Sequence, residues 1–146
     1  MQYSNLAALQ VRNGTERPMT TEVQGRVRLA IIDFKSTGTD KEILLWKAPA
    51  GHVRVLSGNI KTTLATPATN IKIGYSAYTS TDGQKTAADD DAFLAATASN
   101  TLEKLAALPP SGILLETQTG FDVMAVGSAN IAAGDKIEGV ILYVVD

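Results

Sequence analysis

The stretch Ile71-Lys72-Ile73-Gly74-Tyr75-Ser76-Ala77-Tyr78 alternates Ile71, Ile73, Tyr75 and Ala77 with Lys72, Gly74, Ser76 and Tyr78. Successive side chains of an extended chain point to opposite sides, so a period of two predicts a strand with one face on a core and the other nearer water. Thr81-Asp82-Gly83 closes the run with residues that favour turns. Toward the N-terminus the same grammar repeats. Ile60, Thr62 and Leu64 predict a strand stopped near Pro67, and Val53 and Val55 alternate with His52 and Arg54 up to Ser57-Gly58-Asn59, a turn or bulge signal. Ile43-Leu44-Leu45-Trp46 is a short strand between the turn Ser36-Thr37-Gly38-Thr39-Asp40 and Pro49-Ala50-Gly51. Val27, Leu29 and Ile31 alternate with Arg26, Arg28 and Ala30 before Ile32 and Phe34 take up the opposite face, which predicts a strand running into the core.

Toward the C-terminus the pattern changes. Asp89-Asp90-Asp91 precede the alanine-rich stretch Ala92-Phe93-Leu94-Ala95-Ala96, and carboxylates there suit a helix N-terminus through capping and the macrodipole. Asn100 with Glu103, followed by Leu105 and Ala106, predicts a second short helix that Pro109-Pro110 ends. Strands resume at Ile113-Leu114-Leu115, at Phe121 to Val126 after Gly120, and at Ile137 to Val145 after Ala133-Gly134-Asp135. From Val140 to Val145 both faces are apolar, as in a strand central to a sheet or covered by another subunit. Seven or eight strands at spacings near ten residues predict a mainly β fold, an antiparallel β-sandwich or jelly roll with one or two short helices. Residues 1–22 show neither period and contain Asn13-Gly14 and Pro18, so they are expected to be an extended N-terminal arm to a single domain, 23–146.

A chain of 146 residues suffices for one core that buries roughly 70% of the unfolded surface. No apolar run approaches the ~20 residues that span a bilayer, and the polar residues among Met1 to Thr21 interrupt any secretory signal, so no membrane partner and a cytoplasmic site of assembly are expected. The absence of cysteine removes disulfides, thiolate catalysis and zinc-thiolate sites. A net charge of -2 argues against a dedicated nucleic-acid partner. That net value hides an asymmetry: up to Lys72 there are ten bases against five acids, and beyond it three against ten. Either the halves interleave and their fields cancel, or the subunit is dipolar and docks by charge.

The sequence carries no assembled chemistry. His52 is the only histidine, which restricts triads and excludes a histidine-rich metal site. Phosphate-binding, dinucleotide, nucleophile-elbow and zinc-protease motifs are absent. Asp89-Asp90-Asp91 lacks the spaced ligands of a calcium loop and reads as a cap or a solvated cluster. Trp46, between Leu45 and Lys47, reads as packing and not as a sugar platform. No catalytic residue, cofactor or metal is therefore assigned, and the expectation is a structural or binding subunit and not an enzyme.

Four pieces in order resemble one family. Lys47-Ala48-Pro49-Ala50-Gly51-His52-Val53-Arg54-Val55 is followed by Ile71-Lys72-Ile73-Gly74-Tyr75, by Asp89-Asp90-Asp91-Ala92-Phe93-Leu94, and by Ala133-Gly134-Asp135-Lys136-Ile137-Glu138-Gly139-Val140-Ile141-Leu142-Tyr143. The series is similar to small capsid decoration or cement proteins of tailed bacteriophages, over about Trp46 to the C-terminus. The resemblance implies a jelly-roll-like virion subunit on the capsid surface, commonly a homotrimer, with the major capsid protein as partner and no catalytic residues. It also implies an alternative on the same scaffold, a receptor- or carbohydrate-binding head-fibre or tail component. The residues themselves suggest where contacts would lie. Val140, Leu142 and Val144 are expected at an oligomer interface, because a two-layer sandwich covers one face of its last strand unaided. In the arm, Leu6, Leu9, Val11, Arg12 and Arg17 are expected to contact the capsid, with apolar residues in a groove and arginines on carboxylates.

Overall fold

The computed structural model describes residues 27–38, 40–64, 70–98 and 102–145. Among them eleven strands follow in chain order: β1 (Arg28–Lys35), β2 (Asp40–Ala48), β3 (Gly51–Thr63), β4 (Asn70–Tyr75), β5 (Tyr78–Thr79), β6 (Lys85–Thr86), β7 (Asp89–Ala98), β8 (Leu102–Lys104), β9 (Ile113–Thr117), β10 (Phe121–Ile131) and β11 (Lys136–Val145). One sheet runs β1-β11-β3, and the far edge of β3 is shared by β9 along Gly51 to Val55 and by β8 along Asn59 to Lys61. The other runs β2-β10-β4-β7, and β5 and β6 make a separate hairpin. All of these pairings are antiparallel. With β8 and β9 counted as one position and the hairpin set aside, the eight strands are ordered 1-8-3-6 in one sheet and 2-7-4-5 in the other, so that only strands 4 and 5 are consecutive within a sheet. That order is the jelly roll, so the mainly β sandwich expected from turn spacing is the fold.

The core lies between the two sheets. Ala30, Ile32, Val53, Val55, Ile60, Ile137 and Ile141 come from one, and Ile43, Ile71, Ile73, Phe93, Val123 and Ala125 from the other. The two short alternations at 53–55 and 60–64 belong to one strand. In β3, Ser57 pairs with Leu142 and Val55 with Tyr143, so Leu56 is an extra residue and the buried side changes from odd to even numbers. The Ser57-Gly58-Asn59 signal thus marks a bulge within a strand. Thr117, almost wholly buried, holds the turn before β10: its hydroxyl donates to the Gly120 carbonyl and accepts the Gly120 N–H, each at 2.9 Å. Gly120 there takes the positive φ of 97° that an L side chain rarely adopts.

One expectation is corrected, and one choice that the sequence leaves open is decided. Both segments read as helices are strands, and no helix occurs among the described residues. β7 pairs with β4 through Ile71–Thr97, Ile73–Leu94 and Tyr75–Asp89, and β8 pairs with β3. A helix at 89–98 would leave the outer edge of β4 without backbone partners, and that demand outweighs the modest preference of alanine for helix. The open choice concerns β1, whose apolar residues occur at both parities. Its inward residues are Ala30, Ile32 and Phe34, which belong to the core or pack on it, while Val27, Leu29 and Ile31 point away from it. Register decides this, because Ala30 sits opposite the buried Ile141 and Ile32 opposite Gly139. The arm, 1–22, with its expected contacts, lies outside the described residues.

The charge asymmetry resolves into interleaving. Apart from β5–β6, the sheet pairings join a strand that begins before residue 73 to one that begins after it. Lys47 meets Asp122 at 3.8 Å, His52 meets Glu116 at 3.9 Å and Lys72 meets Asp90 at 3.3 Å, each a base from the first half facing an acid from the second.

Candidate interaction surface

On β1 and β11 the alternation that fills the core leaves a second set of side chains on the outer face. Leu29 sits opposite Leu142 and Ile31 opposite Val140, with Val27 and Val144 continuing the two rows. None of the six belongs to the core cluster. Val27 is 60% exposed, Leu29 58% and Ile31 77%, whereas Val140 and Leu142 are half-buried. Val144 is already covered, at 7%. The face lies at the rim of the sheet, since β1 pairs with β11 alone among the described strands. Further along, the same rows become charged, with Asp33 opposite Glu138 and Lys35 opposite Lys136, all exposed.

The expected oligomer-interface residues Val140, Leu142 and Val144 are therefore brought together on one outward row. Their exposed counterparts are Val27, Leu29 and Ile31, one of the two apolar parities that the sequence of β1 shows. The signal is present in the parity: Ile32 and Phe34 follow the even numbers, and one strand cannot send both sets inward.

The other candidates have simple local accounts. Asp89, Asp90 and Asp91 offer carboxylate oxygens all within 4.8 Å of one another, and all three are exposed. They crowd because β7 bulges here: between the pairs Ile73–Leu94 and Tyr75–Asp89, four residues of β7 oppose Gly74 alone. Asp91 is held above the usual carboxylate range, first by its hydrogen bond with Asp89 and then by the neighbouring carboxylate charges, with Lys72 opposing the shift. Asp82 lies below that range because the Ser80 hydroxyl and the Gln84 N–H both donate to it. His52 is an exposed strand residue beside Glu116.

The aromatic rings stack on one another between the sheets. Trp46 lies edge-on to Phe121 at 6.3 Å and against Tyr143 at 4.5 Å, while Tyr75 contacts Tyr78, Phe93 and Phe121. Tyr75 is raised above the ordinary phenol range, mainly by burial and then by the charge of Asp89. Such an arrangement packs an end of the core and offers no flat exposed platform to a sugar.

No protein-family model matches the chain, and no curated protein is significantly similar to it in sequence. Among solved structures it is similar to a chain in the capsid of Ralstonia phage GP4, at 16% identity and a TM-score of 0.57, over 91% of this chain and 93% of that one. It is also similar to a chain of the cyanophage Pam1 capsid asymmetric unit, at 15% identity and 0.54, over 84% and 87%. A chain in the acid-stable capsid of the Helicobacter pylori bacteriophage KHP30 matches at 16% and 0.51, over 84% and 90%. These likenesses establish the jelly-roll fold. Because both chains of each pair are nearly covered, the phage chains are close to this chain in size.

Proposed function

We propose that the chain is a structural virion protein, a decoration or cement subunit on the outer surface of a phage head, which it stabilises. The observation that carries this reading is the end-to-end likeness to chains of phage capsids that are themselves about this size. A jelly roll that accounts for nearly all of each phage chain suits a small separate subunit better than a domain within a larger shell protein. The surface supports a subunit that adds to a shell over one that builds it. A shell-building subunit meets neighbours on several sides, whereas the described residues present one compact aliphatic face.

In this reading the major capsid protein is the partner, and assembly takes place in the host cytoplasm. The arm reaches the shell through Leu6, Leu9, Val11, Arg12 and Arg17, and copies meet as a homotrimer on the particle through the face that contains Val140, Leu142 and Val144. Ordering an arm costs about 1–2 kcal/mol per residue, which an extended apolar and ionic contact offsets. The role requires no catalytic residue, cofactor or nucleic acid.

The test is to mix purified protein with undecorated heads and sediment them. Saturable co-sedimentation, weakened strongly by deleting residues 1–22, is expected, together with heads that rupture at a higher temperature. Failure to bind heads combined with binding to host cells or to a glycan array would overturn the reading in favour of a head-fibre or tail component.

A further inference from the structure

Between β5 and β6 the chain turns through Ser80-Thr81-Asp82-Gly83-Gln84. The Gly83 N–H donates to the Ser80 carbonyl at 2.9 Å and the Ser80 N–H to the Gln84 carbonyl at 2.8 Å, and Gly83 takes a positive φ of 87°. This is a short hairpin loop whose last position favours glycine. A Cβ on Gly83 would meet nothing within 4 Å, and Asp82, Gly83 and Gln84 are all exposed. Asp82-Gly83 is also the only Asp-Gly pair in the chain, since every other internal aspartate is followed by a residue with a side chain.

An aspartate followed by glycine can close on its own backbone. The Gly83 nitrogen attacks Cγ of Asp82, the N–Cγ bond forms as a Cγ–O bond breaks, and the nitrogen's proton leaves with that oxygen as water. The five-membered imide then takes up water at one of its two carbonyls. Opening at Cγ restores aspartate, whereas opening at the main-chain carbonyl leaves the backbone running through Cβ and Cγ, an isoaspartate of unchanged mass. With no side chain on residue 83, nothing crowds the approach of its nitrogen. Two groups of Ser80 oppose the closure. Its carbonyl holds the N–H that must be given up, and its hydroxyl donates to Oδ1 of Asp82, which also accepts the Gln84 N–H at 3.0 Å. These donations hold the carboxyl below its usual range and so in the ionised form, whereas the oxygen departs as water only from the protonated form.

We propose that Asp82-Gly83 is a site of spontaneous backbone isomerisation and that the Ser80 hydroxyl is the catch that slows it. An isoaspartate adds a methylene to a loop whose span is set by the Ser80–Gly83 and Ser80–Gln84 hydrogen bonds, and it takes away the side-chain carboxylate that accepts the Gln84 N–H. The hairpin it disturbs is small, with β5 and β6 paired through Tyr78–Thr86 and Thr79–Lys85. The Gln118 N–H on the Thr79 carbonyl at 3.0 Å and the Tyr78 ring against Phe121 at 6.0 Å tie that hairpin to the sandwich. Isomerisation therefore loosens the hairpin while the two large sheets stay paired. It marks the age of a subunit, whatever surface that subunit docks on.

The test ages the full-length protein, Ser80→Ala and Ser80→Thr at physiological temperature and neutral pH, digests them, and separates the isomers of the peptide that contains residue 82. The same peptide, aged after digestion, sets the unrestrained rate. Asn13-Gly14 closes the equivalent ring only with loss of ammonia, so its product differs in mass and is not mistaken for this one. Isoaspartate is expected at position 82 ahead of the other aspartates, formed at least about tenfold more slowly in the intact protein than in the peptide. Losing one hydrogen bond to a charged group in Ser80→Ala should raise the rate about fivefold, and Ser80→Thr, which keeps the hydroxyl, should stay within about twofold of wild type. Isoaspartate appearing first at another aspartate would overturn the site. Equal rates in the wild type and Ser80→Ala, or a rise in Ser80→Ala shared by the other aspartates, would overturn the catch.

Discussion

A Cβ on Gly74 would overlap the carbonyl oxygen of Asp89, because the bulged start of β7 lies directly against β4 at this point. The backbone of a neighbouring strand cannot rotate aside as a side chain can, so Gly74→Ala should cost about 1–3 kcal/mol in urea denaturation. An unchanged midpoint would show that β7 does not bulge there. The Ile71-Lys72-Ile73-Gly74-Tyr75 pattern was legible as a strand, but the need for glycine was not, since the atom it avoids comes from a distant segment. The bulge also sets the local electrostatics. Asp91 has a raised folded pKa, so its contribution is present below the unfolded pKa and is lost as pH rises through the folded one; Asp82 is depressed, so its contribution is present above the unfolded pKa and is lost as pH falls through the folded one. Carboxyl NMR titration should find Asp82 titrating at lower pH than Asp91, and Asp89→Asn should bring Asp91 down. The reverse order would contradict the geometry of both segments.

Among the elements, β7 shows most clearly what local sequence conceals. The residues Asp89-Asp90-Asp91-Ala92-Phe93-Leu94-Ala95-Ala96 have helical composition, yet the open edge of β4 makes them a strand. The two assignments predict opposite signs for one substitution at an exposed position. Ala95→Thr should raise stability, by up to about 1 kcal/mol, if Ala95 is in a strand. It should lower stability by about 0.5 kcal/mol if that residue is in a helix. Thermal and urea unfolding of the variant decide between them. β1 shows the same limit in another form, since its two apolar parities were both visible and only the register against β11 selects Ala30, Ile32 and Phe34 for the core. Turns were the most legible features, because Gly120 and Ala133-Gly134-Asp135 act through their own backbone. The Asp135 carboxylate accepts the Ala132 N–H at 2.9 Å within that second turn.

At the scale of the molecule, the chain doubles back so that its first half lies strand by strand beside its second, +5 up to Lys72 against -7 beyond it. The pairing contacts are long-range, and although Asp33–Glu138 and Lys35–Lys136 pair like charges, the net charges of the two halves are opposite, so folding should fall in the millisecond-to-second range of nonlocal β proteins and slow as salt screens the halves from each other. Stopped-flow refolding from low to about 0.5 M salt, a range over which the Debye length falls severalfold, tests this. A rate indifferent to salt would mean that the asymmetry has no part in pairing. The number and spacing of strands were enough to reach a β-sandwich, because each turn is written locally. The outward aliphatic face was half legible, through Val140, Leu142 and Val144, because its other half depends on which strand neighbours β11. The central claim, that this jelly roll is a decoration subunit of a phage head, is tested most directly by cryo-electron microscopy of heads incubated with the protein. Symmetry-related jelly-roll density is predicted on the outer surface, with residues 1–22 against the shell and the β1–β11 face toward a neighbouring copy. Heads that remain bare at saturating protein would contradict the claim.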